Sequence, residues 1–463
     1  MLLYGQRRRM GSTFKQLSSN VSKDGFKKLT FNDKILYLVY NLLLLALLPF
    51  FLPYFSIKIL STGESRKSLR ERFGYLGKEK VRGLQGRPSI WLHAVSVGEI
   101  NAAIPLVNRL KDKYPELNMV VSTVTVTGYN NAAKKIPSAD LIFFFPLDFS
   151  WIVKKIVKLV RPKVFILIET EIWPNVLRSL RENGIPTILS NGRISSVSYK
   201  RYKIFRFFFK RVLKGFSIFS MQSERDSRRI ISLGADEEKV ITAGNIKFDQ
   251  DILTADSKDM DDLQKCLHFS GKEKIFVAGS THRGEEEIIL KVFESLKETF
   301  PGIKLLLAPR RPDRFNEVED LVRERGLSVT RKTLLDGGAE GSFDVVLIDT
   351  IGELRMIYGL GTVVFVGGSL VDKGGQNLLE PASYKKPVFF GPHVDNFTSI
   401  AKALQEGGGG IQVRNGEELL NEAKRFLSNP SLLETAGNSA WKVLKEGRGA
   451  IDSNMKLINA LIQ

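Results

Sequence analysis

From residue 89 to the C-terminus, short apolar runs alternate with amphipathic helical patterns, and this alternation leaves few folds open. An apolar run of strand length between helices is a strand buried on both faces. Such strands pair in parallel, with helices packed above and below. Strands are expected at 89–95, 118–124, 140–146, 163–169, 186–190, 216–222 and 240–244. A second series is expected at 274–279, 303–308, 344–348, 362–367 and 387–391. Between the two, "DQDILTADSKDMDDLQK" (249–265) is poor in apolar residues and reads as a linker. The pattern predicts an α/β protein with two doubly wound, Rossmann-like domains facing a cleft. The last ~35 residues read as helix able to pack back across either domain.

Composition fits this reading. The chain has 463 residues, enough for two domains, and 43% are apolar, which supports sizeable cores. A single cysteine, Cys266, excludes an intrachain disulfide and a cysteine-built metal cluster. The four histidines, His93, His268, His282 and His393, lack the HExxH spacing of a zinc enzyme. The net charge of +19 attracts nucleic acid, anionic lipid or anionic small substrates alike. No helix-turn-helix, zinc finger or aromatic RNA-binding signature accompanies it, so nucleic acid is not the expected partner.

The membrane has independent support. Residues 35–57, "ILYLVYNLLLLALLPFFLPYFSI", carry no charge, and this stretch exceeds the ~20 residues that cross a hydrocarbon core. Pro49 and Pro53 introduce kinks that would suit an interfacial placement. The flanks tie at a net +6 each, from eight Lys/Arg and two Asp before the segment and nine Lys/Arg and three Glu in 58–89. The positive-inside rule therefore does not choose an orientation. Residues 1–34, with Arg7-Arg8-Arg9, read as a flexible basic arm.

Chemistry-bearing residues fall at the expected strand ends, where open α/β sheets bind ligands. "WLHAVSVGEI" (91–100) puts Glu99 in the first turn of a helix just past a strand, beside Ser96 and Gly98. That is where a general base would stand, and also where a capping-box glutamate stands. "LIETEIWPN" (167–175) leaves a strand with Glu169 and Glu171, of which alternation lets one face the cleft. "SNGRISSVSYKRY" (190–202) offers Arg193, and "GNIKFD" (244–249) offers Lys247. In the second half, "GSTHRGEEE" (279–287) opens a helix that Ser280 and Thr281 can cap, making an anion site of its free N–H groups. "APRRPDRF" (308–315) brings Pro309 and Arg310, whose guanidinium grips a phosphate in two-pronged fashion. "DTIGELRMIY" (349–358) and "GGSLVDKGGQNLLEPA" (367–382) supply backbone-rich loops, with Asn377 capping the next helix and Glu380 facing ribose hydroxyls. Four such loops in one domain point to a nucleotide. Neither GxxxxGK[ST] nor GxGxxG occurs, which disfavours an ATPase or a dinucleotide enzyme.

The motifs "HAVSVGE", "ETEIWPN", "NGRIS", "GNIKFD", "GST", "PRRPDRF", "IGEL" and "GGQNLLEPA" together resemble the Kdo transferases. That family transfers 3-deoxy-D-manno-octulosonic acid (Kdo) from its CMP-activated form to the lipid A precursor, lipid IV-A, in lipopolysaccharide biosynthesis. The resemblance implies two domains of the glycosyltransferase B type behind an N-terminal membrane anchor. It divides the chain into an arm (1–34), an anchor (35–57), an acceptor-binding domain (58–250) and a CMP-sugar-binding domain (266–463). Carried over by motif, Glu99 resembles the general base, and Glu169 and Lys247 resemble the residues that support the transition state. Pro309 and Arg310, Ile351, Gly352 and Glu353, and Asn377, Leu378, Leu379 and Glu380 resemble the CMP site. Ser96, Gly98, Arg193, Ser280 and Thr281 are further candidates. Two departures stand out: Arg311 replaces a common histidine, and the segment before residue 30 is long.

The expected reaction is inverting, on the cytoplasmic face of the inner membrane, where the donor should be found. CMP leaves as a single phosphate of low basicity, so neither metal nor other cofactor is expected. Asp249-x-Asp251 and Asp259-x-Asp261 mimic a metal-binding pair but fall in the linker rather than in a nucleotide loop. An alternative is a transferase or epimerase of the same fold using a UDP-sugar, which competition between CMP and UDP separates. Another is a membrane-tethered nucleic-acid-binding module, which would bind oligonucleotides in a salt-sensitive way without depending on Glu99.

Overall fold

The computed structural model describes residues 30–62, 66–249, 257–271, 273–338 and 341–462, without side chains for 50–62, 66, 67 and 257. The arm expected at 1–34 therefore lies almost wholly outside the described residues. The chain divides into two compact units, one of residues 1–250 with 448–463, the other of 251–447.

The first unit holds a seven-stranded parallel sheet. Its strands are β1 (Ser89–His93), β2 (Asn118–Thr123), β3 (Leu141–Phe144), β4 (Pro162–Ile168), β5 (Thr187–Gly192), β6 (Ile218–Met221) and β7 (Val240–Thr242). Their order is β3-β2-β1-β4-β5-β6-β7, so the winding reverses between β1 and β4. Trp91 lies opposite Val120 on one side and Phe165 on the other. Ile90, Leu92, Val121 and Ile166 turn to one face, and Trp91, Val120 and Phe165 to the other. A strand covered on both faces has no polar side to show, and so these segments read as unbroken apolar runs.

The second unit repeats the plan with β8 (Ile275–Thr281), β9 (Lys304–Pro309), β10 (Val329–Arg331), β11 (Val345–Leu347), β12 (Val363–Val366), β13 (Val388–Phe390) and β14 (Gly410–Gln412). The order is β10-β11-β9-β8-β12-β13-β14, again parallel, with the reversal between β8 and β12. Twelve strands match the expected ones. β10 and β14 were not foreseen: each is three residues long and sits at an edge of the sheet, too short for any period to show.

Two expectations on organisation are corrected. Residues 257–265 are no linker but the bulk of the helix Ser257–Cys266, whose Leu263 is buried. Its charged residues face outward, which hid the helix from a count of apolar residues. The final helix, Ala450–Ile462, packs on the first unit, so the second unit ends at 447 rather than 463. Met455, Leu457, Ile458 and Leu461 join the core against β1 and β4, each burial worth roughly 1.5–3 kcal/mol. Asp249 fixes this return by accepting the Gly449 and Ile451 N–H groups, each at 2.6 Å. That use of Asp249 accounts for half of the metal-like Asp249-x-Asp251 pair.

The structure adds to the reading of the apolar segment. One helix runs unbroken from Phe31 to Thr62, and its part Phe31–Pro49 is long and apolar enough to cross a membrane by length and composition. It is not detached from the domain. Asp33, Leu36, Tyr37, Tyr40 and Asn41 form a docked stripe at helical spacing, with Tyr37 only 3% exposed. Tyr40 packs on Phe208, and the Arg178 guanidinium lies over the Tyr37 ring. Leu38, Val39, Leu42, Leu43, Leu45 and Leu47 stay exposed on the other face.

Candidate functional site

In the first unit the site forms where the winding reverses, past the ends of β1 and β4, as the position of a switch point requires. Ser96 is the N-cap of the helix Val97–Lys113 and accepts from Glu99 N at 3.4 Å. Glu99 folds back: Oε2 accepts the Val95 N–H at 2.7 Å, and Oε1 accepts the Ser96 hydroxyl at 3.1 Å. This capping arrangement differs from a standard box, because Glu99 reaches the N–H of Val95, one residue before the N-cap, rather than that of Ser96. It does not exhaust Glu99, because burial, with Glu169 and then Glu171 adding repulsion, holds its carboxyl well above the usual carboxylate range. A carboxylate with that proton affinity suits proton abstraction near neutral pH. Gly98 is exposed, and a side chain there would meet only the Ser96 hydroxyl.

Glu169 follows β4 at φ +58°, a left-handed conformation that a non-glycine residue adopts at a cost. Its N–H donates to Ser190 O at 3.0 Å, and its Oε1 lies 3.4 Å from Lys247 Nζ. Lys247 sits in the 3₁₀ turn Ile246–Asp249, where its own N–H donates to Asn245 Oδ1. Asn191, at the end of β5, secures this turn by accepting the Ile246 N–H at 3.0 Å. The alternation expected for Glu169 and Glu171 fails, because residues 169–173 leave the strand as a bend and both carboxylates act on Glu99. Arg193 comes to the same region, its N–H donating to Thr170 Oγ1 at 3.0 Å.

Sequence reasoning passed over His93, which the structure brings beside the candidate site. The ring is fully buried, stacks on Phe145 at 3.8 Å, and bonds Ser122 through Nδ1. Among the described residues its Nε2 has no hydrogen-bond partner; it lies 4.0 Å from Glu171 Oε2, which also accepts the Trp173 indole N–H at 3.1 Å. Burial pushes the imidazole below its usual value, which keeps it neutral. Its position opening "HAVSVGE" was the signal available.

In the second unit the loops after β8 and β12 are locked together. Glu285 is 0% exposed and accepts four backbone N–H groups, from His282 (2.9 Å), Gly368 (2.6 Å), Ser369 (3.0 Å) and Leu370 (2.9 Å). Gly367 has to be glycine, because a Cβ would stand 2.5 Å from Ser280 O. Ser280 and Thr281 are the last residues of β8 and do not cap a helix, contrary to expectation. The helix begins only at Glu286, after the turn that Glu285 closes. Thr281 keeps a buried hydroxyl without a partner among the described residues, and Ser280, at φ +56°, hydrogen-bonds the buried Tyr358.

Arg310 is exposed at the end of β9, next to the buried Pro309, with its N–H on Thr281 O at 2.9 Å. It lies near enough to His282 to help burial lower that imidazole. Arg314, by contrast, is committed to Glu286 and Glu317. Asn377 Oδ1 accepts the Leu379 N–H at 3.1 Å, and its Nδ2 donates to Glu380 Oε1 at 3.1 Å, so the expected cap is present one residue off the N-cap position. Leu378 and Leu379 are fully buried and can meet a ligand only through backbone. Glu353 pairs with the buried Lys332 at 3.2 Å, while Ile351 is 85% exposed and Gly352 adopts φ +105°.

Two Rossmann-like units, each with polar loops gathered at the carboxyl ends of its strands, are the plan of the glycosyltransferase B fold, which solved UDP-N-acetylglucosamine 2-epimerases share. A solved glycosyltransferase from Rickettsia africae shares this fold, with a TM-score of 0.55 over 82% of this chain and 99% of its own at 13% identity. The family model of the 3-deoxy-D-manno-octulosonic-acid transferases matches residues 67–250. A 3-deoxy-D-manno-octulosonic acid transferase of Haemophilus influenzae is 34% identical over 92% of this chain and 98% of its own length. One of Chlamydia pneumoniae is 30% identical over 91% and 96%. The chain belongs to the Kdo transferase family.

Proposed function

We propose that this enzyme transfers Kdo from CMP-Kdo to a sugar hydroxyl of the lipid A precursor lipid IV-A, with inversion, and that Glu99 is the general base. The observation that carries this reading is the state of Glu99. It is a desolvated carboxylate at the end of β1, fixed by one N–H and one hydroxyl and driven toward proton uptake by Glu169 and Glu171. Glu99 takes the proton of the acceptor hydroxyl as its oxygen bonds the anomeric carbon. The bond from that carbon to the phosphate oxygen breaks on the opposite face, and CMP leaves with the electron pair on phosphate. Glu169 and Lys247, 3.4 Å apart, support the charge that develops. Arg310, with the loops Ile351–Glu353 and Asn377–Glu380, holds CMP in the second unit.

The apolar helix supports a place at the inner membrane, and the need for the CMP-activated donor assigns the cytoplasmic face. Its docked stripe faces the protein, and its leucine-rich face is open to lipid. Next to Phe208, which it touches, Ile204, Phe205 and Phe207 are exposed among Arg201, Lys203 and Arg206. Apolar rings among cations suit the surface of an anionic leaflet. The test is mass analysis of the product formed from purified enzyme, CMP-Kdo and lipid IV-A, with CMP and UDP as competitors. Growth of the acceptor by whole Kdo units, inhibited far better by CMP, is expected. An unmodified acceptor overturns the reading.

A further inference from the structure

We propose that a buried network of Tyr40, Asn41, Asp148 and Asn175 couples the seating of the apolar helix to the position of the Glu169–Trp173 loop. The inference rests on the proposed role of Glu169.

The loop has five residues and little freedom. It begins at Glu169, held on β5 through Ser190 O, and runs into the helix Pro174–Glu182. That helix has no cap of its own: Trp173 occupies the N-cap and contributes no side-chain hydrogen bond. Helix starts leave N–H groups to be satisfied, and here the acceptor comes from elsewhere in the chain. Asp148 Oδ2 accepts the Asn175 N–H and Oδ1 the Val176 N–H, both at 3.0 Å. Asp148 is buried, so its carboxylate depends on every donor it has.

One of those donors belongs to the apolar helix. The Tyr40 hydroxyl donates a hydrogen bond to Asp148 Oδ2 at 2.9 Å. The next residue repeats the tie: Asn41 and Asn175 exchange amide hydrogen bonds, at 3.1 Å and 3.0 Å. These are two of the polar residues of the docked stripe, on a helix whose other face is rich in leucine. A helix required only to hold lipid has no use for two polar bonds to a cap. Of the residues that receive them, Asn175 stands in the first turn of the helix directly behind the loop that carries Glu169 and Glu171, and Asp148 caps that turn. None of the four touches a reacting atom. They are positioning residues, and they place the catalytic loop when the helix is seated.

The test uses the full chain in detergent micelles, with Tyr40→Phe as the main variant and Asn41→Leu as the second. Asn41→Leu leaves Asp148 its three donors and keeps the question answerable should Tyr40→Phe misfold. Amide exchange at Asn175 and Val176 reads the cap without any turnover. Exchange is expected to quicken in both variants. The kcat for Kdo transfer should fall by about tenfold, within the reach of a sub-ångström displacement, while KM for CMP-Kdo stays within about twofold. Faster exchange at unchanged kcat would make the network structural only, and unchanged exchange would remove the coupling altogether. Full turnover by Glu169→Gln overturns the proposed chemistry and this inference with it. Loss of turnover in Glu169→Gln with a normal kcat in Tyr40→Phe overturns this inference alone.

Discussion

The Lys247 ammonium lies 3.4 Å from Glu169 Oε1, so that of the three carboxylates acting together in the first unit, Glu169 has the cation. Glu99 is held by an N–H and a hydroxyl and keeps a raised proton affinity. The two roles divide along that line, one carboxylate paired with a cation, the other ready to take a proton.

The first prediction follows from this division. Glu99→Gln keeps the cap and loses the base, so kcat should fall by about 10²–10⁴-fold with CMP affinity nearly unchanged. In the native enzyme a raised pKa means that the working, deprotonated form fills only as pH rises. The acid limb of the kcat profile should therefore lie above the ordinary carboxylate range. Glu171→Gln removes a repulsion and should move that limb to lower pH. A Glu99→Gln enzyme with more than about a tenth of normal turnover would sink the assignment.

Arg310 gives the second prediction. Its side chain is exposed beside His282, so Arg310→Ala should cost CMP a charge-assisted bond, roughly 1.5–3 kcal/mol, without changing the melting temperature. Titration calorimetry with CMP reads it. Unchanged affinity at normal melting removes Arg310 from the site.

Glu285→Gln tests the lock between the β8 and β12 loops. One of the two acceptor oxygens becomes a donor facing backbone N–H groups, which costs about 1–3 kcal/mol for each group left unpaired. A lower melting temperature and weaker CMP binding are expected together. Wild-type melting would show that the loops hold without it.

The last prediction concerns the returning helix. Ile458→Ala should lower stability by about 2–5 kcal/mol and should act on the first unit, which amide exchange resolves from the second. Exchange that quickens only in residues 257–447 would contradict the packing seen.

The sequence by itself determined the two parallel sheets, because strands buried on both faces must be written as apolar runs, and those runs are visible without the fold. It also placed Glu99, Glu169, Lys247 and Arg310 at strand ends, since a strand end is where an apolar run stops. What it could not determine were features defined by distant partners. Whether Glu99 is only a cap depends on Glu169 and Glu171, some seventy residues away in sequence. His93 became interesting only when its unpartnered nitrogen met Glu171. Asp148, Glu285 and Asp249 are ordinary acids in sequence, and only the tertiary structure turned them into caps and ties for other segments. The apolar helix shows the same division. Its leucines were legible as a lipid-facing run, whereas the polar stripe that binds it to the first unit has meaning only where Tyr40 meets Asp148. Local pattern encodes burial; pairing over long sequence distances is decided when the chain closes on itself.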